Sequence, residues 1–399
     1  MNVKNTTEEL FLMTAKTLFG LEPILAEELT AIGATDVIVH NRAVSFKGTT
    51  ETLYKGNYLC RTALRILVPI KTAEVSTQEE LYKAISQINW EQYIDATDTI
   101  AIDSVAGETT GFTNSMFVSL KAKDAIVDQF RAKHGVRPSV DIEFPTLRIN
   151  IHIFKSTCTI SLDSSGKSLH KRGYRVDASK APLNEVLAAG LVLLSGWDKK
   201  SNFVDPMCGS GTILIEAAMI AKNIPPGYYR KEFGFEKWKN FDKECWENIL
   251  EESKKNIIET NTIILGNDNA TSTIKIAKIN LKEAGFRDAV KLVQEDMREM
   301  TPPEGGGTAI INPPYGERLD KDDILELYKS IGDTLKKKYE GYNVWIITSN
   351  SDAAKNIGLK TSRKIPIFNG PLECRFLKFE MYRGTKKFRP EEGTVVSNE

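Results

Sequence analysis

In FVDPMCGSGTILIEAAMIA, which starts at Phe203, a strand-like run enters a turn holding Gly209 and Gly211 and leaves it as an apolar helical run. Glycines at such a turn let the backbone approach a ligand closely, and the start of the helix offers unpaired N–H groups. A nucleotide P-loop needs a lysine directly after its last glycine, and none follows here; a dinucleotide fingerprint needs a third glycine at the position of Leu214. Asp205, four residues before Gly209, suits instead a ligand that carries a cation. The sulfonium and ammonium of S-adenosylmethionine are such groups. Alone, a GSG turn is a weak signal, because such turns also serve plain chain reversal.

Two further acids close strand-like runs, Asp268 in ILGND and Asp296 in VQED. An ionised carboxylate accepts hydrogen bonds without donating and can take two donors, so Asp268 is placed to accept ribose hydroxyls and Asp296 an adenine amine. Acids at strand ends often cap helices, and each alone reads as structural. Three at the carboxyl ends of successive strands of one sheet converge on one crevice.

The next run, AIINPPYGERL, holds Asn312, Pro313, Pro314 and Tyr315. Paired prolines fix the backbone and delay the following helix, so a rigid turn is the plain reading. Chemistry offers a fuller one. The exocyclic amine of a nucleobase is a poor nucleophile because its lone pair is delocalised into the ring. The Asn312 side-chain oxygen and the Pro313 carbonyl can grip its two hydrogens and aim the lone pair at a methyl donor, while Tyr315 stacks on a flipped base. Positioning then supplies most of the acceleration, with no acid or base catalyst.

The elements that must carry these residues alternate regularly. APLNEVLAAGLVLLSG reads as a helix with Pro182 in its first turn and Gly196 past its end. Strands follow at NFVDP, TIILGND, VKLVQED, TAIINPP, NVWIITSN and CRFLKFEMY, with helical runs between most of them. That pattern predicts a doubly wound α/β fold with a mostly parallel sheet over 181–388. The front of the chain is different: FLMTAK, the hairpin VIVHNRAVSFKG, RILVPIKTAEV, TIAIDSVAGE, LRINIHIFKS and TCTISLDSS read as strands. Between them lie GLEPILAEELTAIG, TETLYKGNYLCRTAL, TQEELYKAISQI capped by Thr77, and SLKAKDAIVDQFRAKHG ended by Gly135, all with helical spacing. These are small α+β units, 1–64 and 65–165, whose plain reading is a scaffold or docking module. The link GKSLHKRGYRVDASK (166–180) sets Lys167, Lys171, Arg172, Arg175 and Lys180 against Asp177 alone. A solvated linker and a phosphate-contacting strap are both open readings of it.

DPMCGSGT and NPPYGERL, preceded by LDSSGKSLHKRGYRVDASKAPLNEVLAAGLVLLSGW, resemble bacterial 23S rRNA guanine-N2-methyltransferases of the THUMP-containing class, from about Ala15 to Tyr382. RPSVD (137–141) and LKAKDAIVDQFR are similar to the family's THUMP module. The resemblance implies a ferredoxin-like domain, an RNA-binding THUMP domain and a class I methyltransferase with a Rossmann-like, seven-stranded sheet. It implies S-adenosylmethionine as cofactor, held by Asp205, Cys208, Gly209, Gly211, Thr212, Asp268, Asn269, Asp296 and Met297. It assigns Asn312, Pro313, Pro314 and Tyr315 to the target guanine and Lys171, Arg172, Arg175 and Arg318 to RNA. The implied partner is 23S rRNA or a large-subunit assembly intermediate, with the oligomeric state open. Some members carry a second methyltransferase domain; this sequence ends at 399, so the first activity alone is implied. A tRNA guanine-N2 or DNA adenine-N6 methyltransferase is the alternative within enzymes, since NPPY serves any exocyclic amine. A non-catalytic RNA-binding factor is disfavoured because Asp205, the glycine turn and Asn312 are all intact.

Several features bound these readings. Lys+Arg and Asp+Glu both number 53, which excludes a polycation and leaves nucleic acid to local patches. One such patch is 361–390, where eight Lys/Arg face two Glu; a solvated face is its plain reading. The longest charge-free apolar run is 186–197, short of a bilayer span, and no signal-peptide core opens the chain, so a cytoplasmic protein is expected. The cysteines at 60, 158, 208, 245 and 374 form no CxxC pair, and the histidines at 40, 134, 152 and 170 are dispersed, so no metal is expected. Cys208 lacks a paired base and reads as packing. The segment 225–246 interrupts the strand spacing with aromatics at Tyr228, Phe233, Phe235, Trp238, Phe241 and Trp246 interleaved with Lys and Arg. It reads as a packed lid or cap, with base stacking as the sharper alternative. From Arg389 the tail is polar.

Overall fold

The structure is a computed structural model that describes residues 9–109, 111–112, 114–176, 183–314 and 320–382. The front half runs β1 (Phe11–Lys16), α1 (Glu22–Ala31), β2 (Thr35–His40), β3 (Ala43–Gly48), α2 (Thr50–Leu59), β4 (Arg65–Glu74), α3 (Gln78–Ser86), β5 (Thr99–Gly107), α4 (Ser115–His134), β6 (Ser139–Val140), β7 (Leu147–Phe154) and β8 (Thr157–Asp163). Local chemistry sets the helix ends. Thr77 and Glu80 form a reciprocal capping box on α3, and Gly135 closes α4 in the left-handed conformation at φ 71°. The strands make one sheet in the order β2-β3-β1-β4-β8-β7-β5-β6.

β4 joins the two expected front units: Arg65–Leu67 pair with β1, and the rest of the strand pairs with β8. The two units therefore share a sheet but keep separate cores, one around Met13, Leu25 and Phe46 and one around Ile85, Trp90, Phe130 and Ile151. The β4–β8 register slips beside Pro69, where an N–H is missing from the ladder.

The back half runs α5 (Glu185–Leu194), β9 (Asn202–Asp205), α6 (Thr212–Ala221), α7 (Lys243–Lys255), β10 (Ile264–Asn267), α8 (Thr271–Glu283), β11 (Val290–Val293), β12 (Gly307–Ile311), α9 (Lys321–Lys338), β13 (Tyr342–Thr348), α10 (Ser351–Lys355), β14 (Arg363–Asn369) and β15 (Leu372–Glu380). Its seven strands lie in the order β11-β10-β9-β12-β13-β15-β14, with β15 antiparallel to both neighbours. Strand residues alternate between two cores. Phe203, Ile310, Trp345 and Ile347 pack with α5, α6 and α8, while Val204, Ala309, Ile311, Val344 and Ile346 pack under Tyr328, Ile331 and Leu335 of α9. Burial on both faces is why these strands read as continuous apolar runs.

Two expectations are corrected. β14 is an additional strand; it contains Pro366 and pairs, among the described residues, only with β15, an edge position that tolerates a proline and weakens the strand signal. α5 starts at Glu185, where the Asn184 side chain accepts from the Val186 and Leu187 N–H groups, so the cap is Asn184 rather than a first-turn proline. Pro182 and the tail from Arg389 lie outside the described residues.

The aromatic segment 225–246 joins the halves. Phe235 stacks on Tyr54 of α2 at 4.2 Å and meets Trp246 of α7 edge-on at 5.1 Å. Phe233, Phe235 and Trp246 are buried in the front core, so these rings are committed to packing and are not free to stack on bases. Phe235→Ala is expected to cost about 3–5 kcal/mol, as for other large aromatics deleted from a core. Urea unfolding checks this, and a loss under ~1 kcal/mol would mean that the joint is held elsewhere.

Candidate active site

The chain adds β10 and β11 on one side of β9, then returns to place β12 on the other side. That reversal opens a crevice at the carboxyl ends of β9, β10 and β12, the position where open α/β sheets bind ligands. Asp205 closes β9 beside Gly266 of β10 and is 1% exposed. Its Oδ1 accepts the Met207 N–H at 3.2 Å, whereas its Oδ2 is buried with no partner among the described residues. Burial, opposed by the Met207 bond and reinforced by the nearby Asp268 charge, holds this carboxyl well above the usual carboxylate range.

The turn that follows needs its glycines: Gly209 has φ 55° and Gly211 φ 82°. The Gly209 N–H donates to Asp268 Oδ2 at 3.1 Å, and Asp268 Oδ1 accepts from Ala270 N–H at 2.9 Å, so one carboxylate braces the turn and the start of α8. Each oxygen keeps a second lone pair for a ligand hydroxyl. A Cβ added at Gly209 would meet nothing within 4 Å, so the turn opens onto space. At Gly266 a Cβ would lie 2.2 Å from Leu214, so the strand beneath the turn needs glycine for packing.

Asn267 belongs to this site and is missed by a sequence reading that looks for charge. It is fully buried; its amide donates to the Pro206 and Glu295 carbonyls and accepts from Glu295 N–H, while its backbone carbonyl accepts from Cys208 N–H. It ties the loops after β9, β10 and β11 together. Its only sequence signal is a polar amide directly after the apolar run of β10.

Asn312 stands one residue past β12, and its Oδ1 is also buried without a partner among the described residues. Pro313 is buried and Pro314 half-buried, while Tyr315 and Arg318 lie outside the described residues. Thr212 is buried at the first position of α6 and Asn269 is exposed beside Asp268. The Cys208 thiol is pushed well above its ordinary value by burial first and then by Asp205 and Asp268, which makes it a packing group rather than a nucleophile. Met297 is buried in the core beside α9. Asp296 lies three residues past β11, and Arg298 binds it at both oxygens, at 2.8 and 2.6 Å, holding its carboxyl below the usual range.

Two of the cations read as RNA contacts face inward. Arg172 is 1% exposed and donates to Glu216 of α6 and to the Leu169 and Arg61 carbonyls. Arg175 pairs with Glu185 at 3.1 Å and donates to the Leu183 carbonyl and Thr212 hydroxyl. Both guanidiniums are engaged within the fold, where the link 164–176 meets Glu216 and Thr212 of α6. Lys171 remains exposed.

The crevice thus holds two buried acceptors without donors among the described residues, Asp205 Oδ2 and Asn312 Oδ1, on neighbouring strands. A bare buried carboxylate is costly, and a ligand cation relieves it. S-adenosylmethionine fits this donor-poor pocket at Asp205, and an amine fits at Asn312. Among the described residues, no group of three or more His, Cys, Asp or Glu is placed to hold a metal ion, and no helix is long and apolar enough to cross a membrane.

Comparison with known proteins agrees with this fold. Three family descriptions match in tandem: the RlmL ferredoxin-like domain over 13–67, the THUMP domain over 75–163, and the RMKL-like methyltransferase domain over 172–378. The chain belongs to the RMKL-like methyltransferase family. This methyltransferase is 37% identical over 379 residues to a provisionally named RNA methyltransferase of Synechocystis sp., across 94% of this chain and 98% of that one. It is 38% identical over 374 residues to a ribosomal RNA large subunit methyltransferase K/L of Syntrophotalea carbinolica, across 91% of this chain but 52% of the other. The chain therefore spans about half the length of its K/L relatives. Among solved structures, SMU.472, provisionally called a methyltransferase and crystallised with S-adenosylhomocysteine (SAH), matches with TM-score 0.85 at 31% identity. That match covers 95% of this chain and 100% of that one.

The state of Asp205 gives the RMKL-like methyltransferase a pH signature. Its folded pKa lies above the unfolded value, so ionising it as pH rises destabilises the ligand-free fold. A bound cation favours the ionised form, so S-adenosylmethionine binding should release a proton below the raised pKa, and less of one as pH rises through it. Calorimetry in two buffers of different ionisation enthalpy measures the release. Asp205→Asn should abolish it and weaken binding; equal release in wild type and variant would remove Asp205 from the site.

Proposed function

We propose that this RMKL-like methyltransferase transfers a methyl group from S-adenosylmethionine to the exocyclic N2 amine of a guanine in 23S rRNA, as naked RNA or in an assembling large subunit. The observation that carries the reading is the pair of buried, unpartnered acceptors at the switch point, Asp205 Oδ2 and Asn312 Oδ1. The THUMP match supports an RNA substrate, and the names of the K/L relatives support large-subunit rRNA. SAH in a relative that aligns along its whole length supports the cofactor.

The cofactor supplies an electrophilic methyl on sulfur. Asp205 offers its free oxygen to the cationic end, the Gly209–Gly211 turn leaves room for close approach, and Asp268 has spare lone pairs for the ribose. Asp296 accepts the adenine amine in exchange for, or alongside, Arg298. On the substrate side, Asn312 and the Pro313 carbonyl take the two hydrogens of the amine and turn its lone pair toward the methyl group. Pro314 holds the chain rigid there, and Tyr315 is assigned by resemblance to the face of the base. Exposed Lys171, with Arg318, serves the RNA backbone. An amine held by two acceptors is the shared need of tRNA guanine and DNA adenine methylation, and no contact among the described residues favours either.

Asn312→Ala should slow single-turnover methylation of 23S rRNA by roughly 10²–10³, the usual loss for one preorganised polar group acting in the transition state. Calorimetric SAH affinity should stay within a few-fold, because Asn312 lies on the substrate side. Mass mapping of the product nucleoside identifies the base. A near-wild-type rate would reduce NPPY to a rigid turn and bring forward a non-catalytic RNA-binding role.

A further inference from the structure

We propose that Arg175 and Asn280 latch the strap of residues 164–176 to the glycine turn, so that the order of the strap sets cofactor affinity and the cofactor orders the strap in return. The inference rests on the reading of that turn as the S-adenosylmethionine site.

The strap leaves β8 and runs along α6, whose first residue follows the turn. Arg172 Nε and the Tyr174 hydroxyl both reach Glu216 Oε1, at 3.3 and 3.0 Å. One helical turn nearer the glycines, on the same face, Arg175 Nη2 donates to Thr212 Oγ1 at 3.1 Å. From the opposite side Asn280 of α8, 2% exposed, donates to the Ser210 carbonyl at 3.1 Å and accepts the Val176 N–H at 3.3 Å. Two consecutive strap residues thereby grip the chain on both sides of Gly211.

That position is where grip matters. Gly211 sits at φ 82°, a conformation with little local preference to hold it, and the groups that bracket it are the Ser210 carbonyl and the Thr212 hydroxyl. Arg175 is itself firmly anchored, with Nε 3.1 Å from Glu185 and Nη2 also reaching the Leu183 carbonyl at 2.9 Å. This uses the planar fork of a guanidinium, which an ammonium cannot reproduce. The outer side of the same strap carries exposed Lys171 and places Lys167 over the Phe144 ring at 3.8 Å. One short segment thus faces outward with cations and inward with hydrogen bonds to the cofactor turn. If strap order favours the turn, cofactor binding must favour strap order by the same factor.

Arg175→Lys is the informative substitution, since it keeps a cation beside Glu185 but not the reach to Thr212. Arg175→Gln would leave Glu185 as a buried, unpaired carboxylate and would report stability alone. Arg175→Lys should weaken calorimetric SAH affinity about ten-fold, raise KM for S-adenosylmethionine more than it lowers kcat, and leave the thermal midpoint near wild type. Thr212→Ala should weaken binding similarly, and the double variant should lose no more than either single one, because both break the same contact. Hydrogen exchange gives an independent readout. SAH should slow exchange of the Val176 amide in wild type, but not in Asn280→Asp, which keeps the acceptor for Val176 and loses the donor to Ser210. If the wild type itself fails to bind SAH, the cofactor reading fails. If it binds, the latch is overturned by wild-type affinity in Arg175→Lys, by additive losses in the double variant, or by Val176 exchange indifferent to SAH.

Discussion

A carboxyl group buried with one oxygen unpartnered among its described neighbours resists ionisation for as long as the rest of the fold keeps it from water. Asp205 is in that state, and much of the back half can be understood as its containment. β9 is flanked by β10 and β12, its two faces are filled by the α6 and α9 cores, and Asn267 closes the neighbouring loops over the strand end. The backbone donor at Met207 meets one oxygen only. Burial therefore keeps the carboxyl protonated, and a cation brought beside its free oxygen would shift it toward the ionised form.

The front half is not a loosely tethered attachment. The Arg172–Glu216 pair is buried, and Arg172 also holds the Arg61 carbonyl of the front half, while Arg61 reaches the Ile224 carbonyl after α6. Arg230 donates to four carbonyls of the strap, at Ser165, Lys167, Ser168 and Lys171. Apolar contacts add to this, with Leu21 lying against Gly190 of α5 where a Cβ would approach to 2.6 Å. A buried ion pair contributes little net stability, but breaking it leaves an uncompensated charge. These contacts fix the ferredoxin-like unit and the strap, and through the shared sheet the THUMP unit, against the methyltransferase half.

The composition of the strap illustrates the difference between a residue's type and its direction. Its arginines and lysines look equivalent in sequence, yet Arg172 and Arg175 are drawn inward by Glu216 and Glu185, two acids on otherwise apolar, buried helix faces. The aromatics of 225–246 are ambiguous in sequence for the same reason. Whether Phe235 stacks on a base or on Tyr54 depends on α2, which lies far away in the chain.

The sequence by itself determined the class of chemistry. The GSG turn, the acids after β9, β10 and β11, and the NPPY run are local patterns whose spacing needs no partner to be read, and the β/α alternation that carries them follows from side-chain periodicity. Capping was equally legible at Thr77 and Gly135, because those bonds close within a few residues. Tertiary structure decided what depends on distant neighbours. It set β14, whose edge pairing tolerates Pro366, and Asn267, an uncharged amide whose value lies in the three loops it ties together. It also left Asp205 Oδ2 and Asn312 Oδ1 without donors among the described residues, since only the packed crevice determines which polar atoms find a partner.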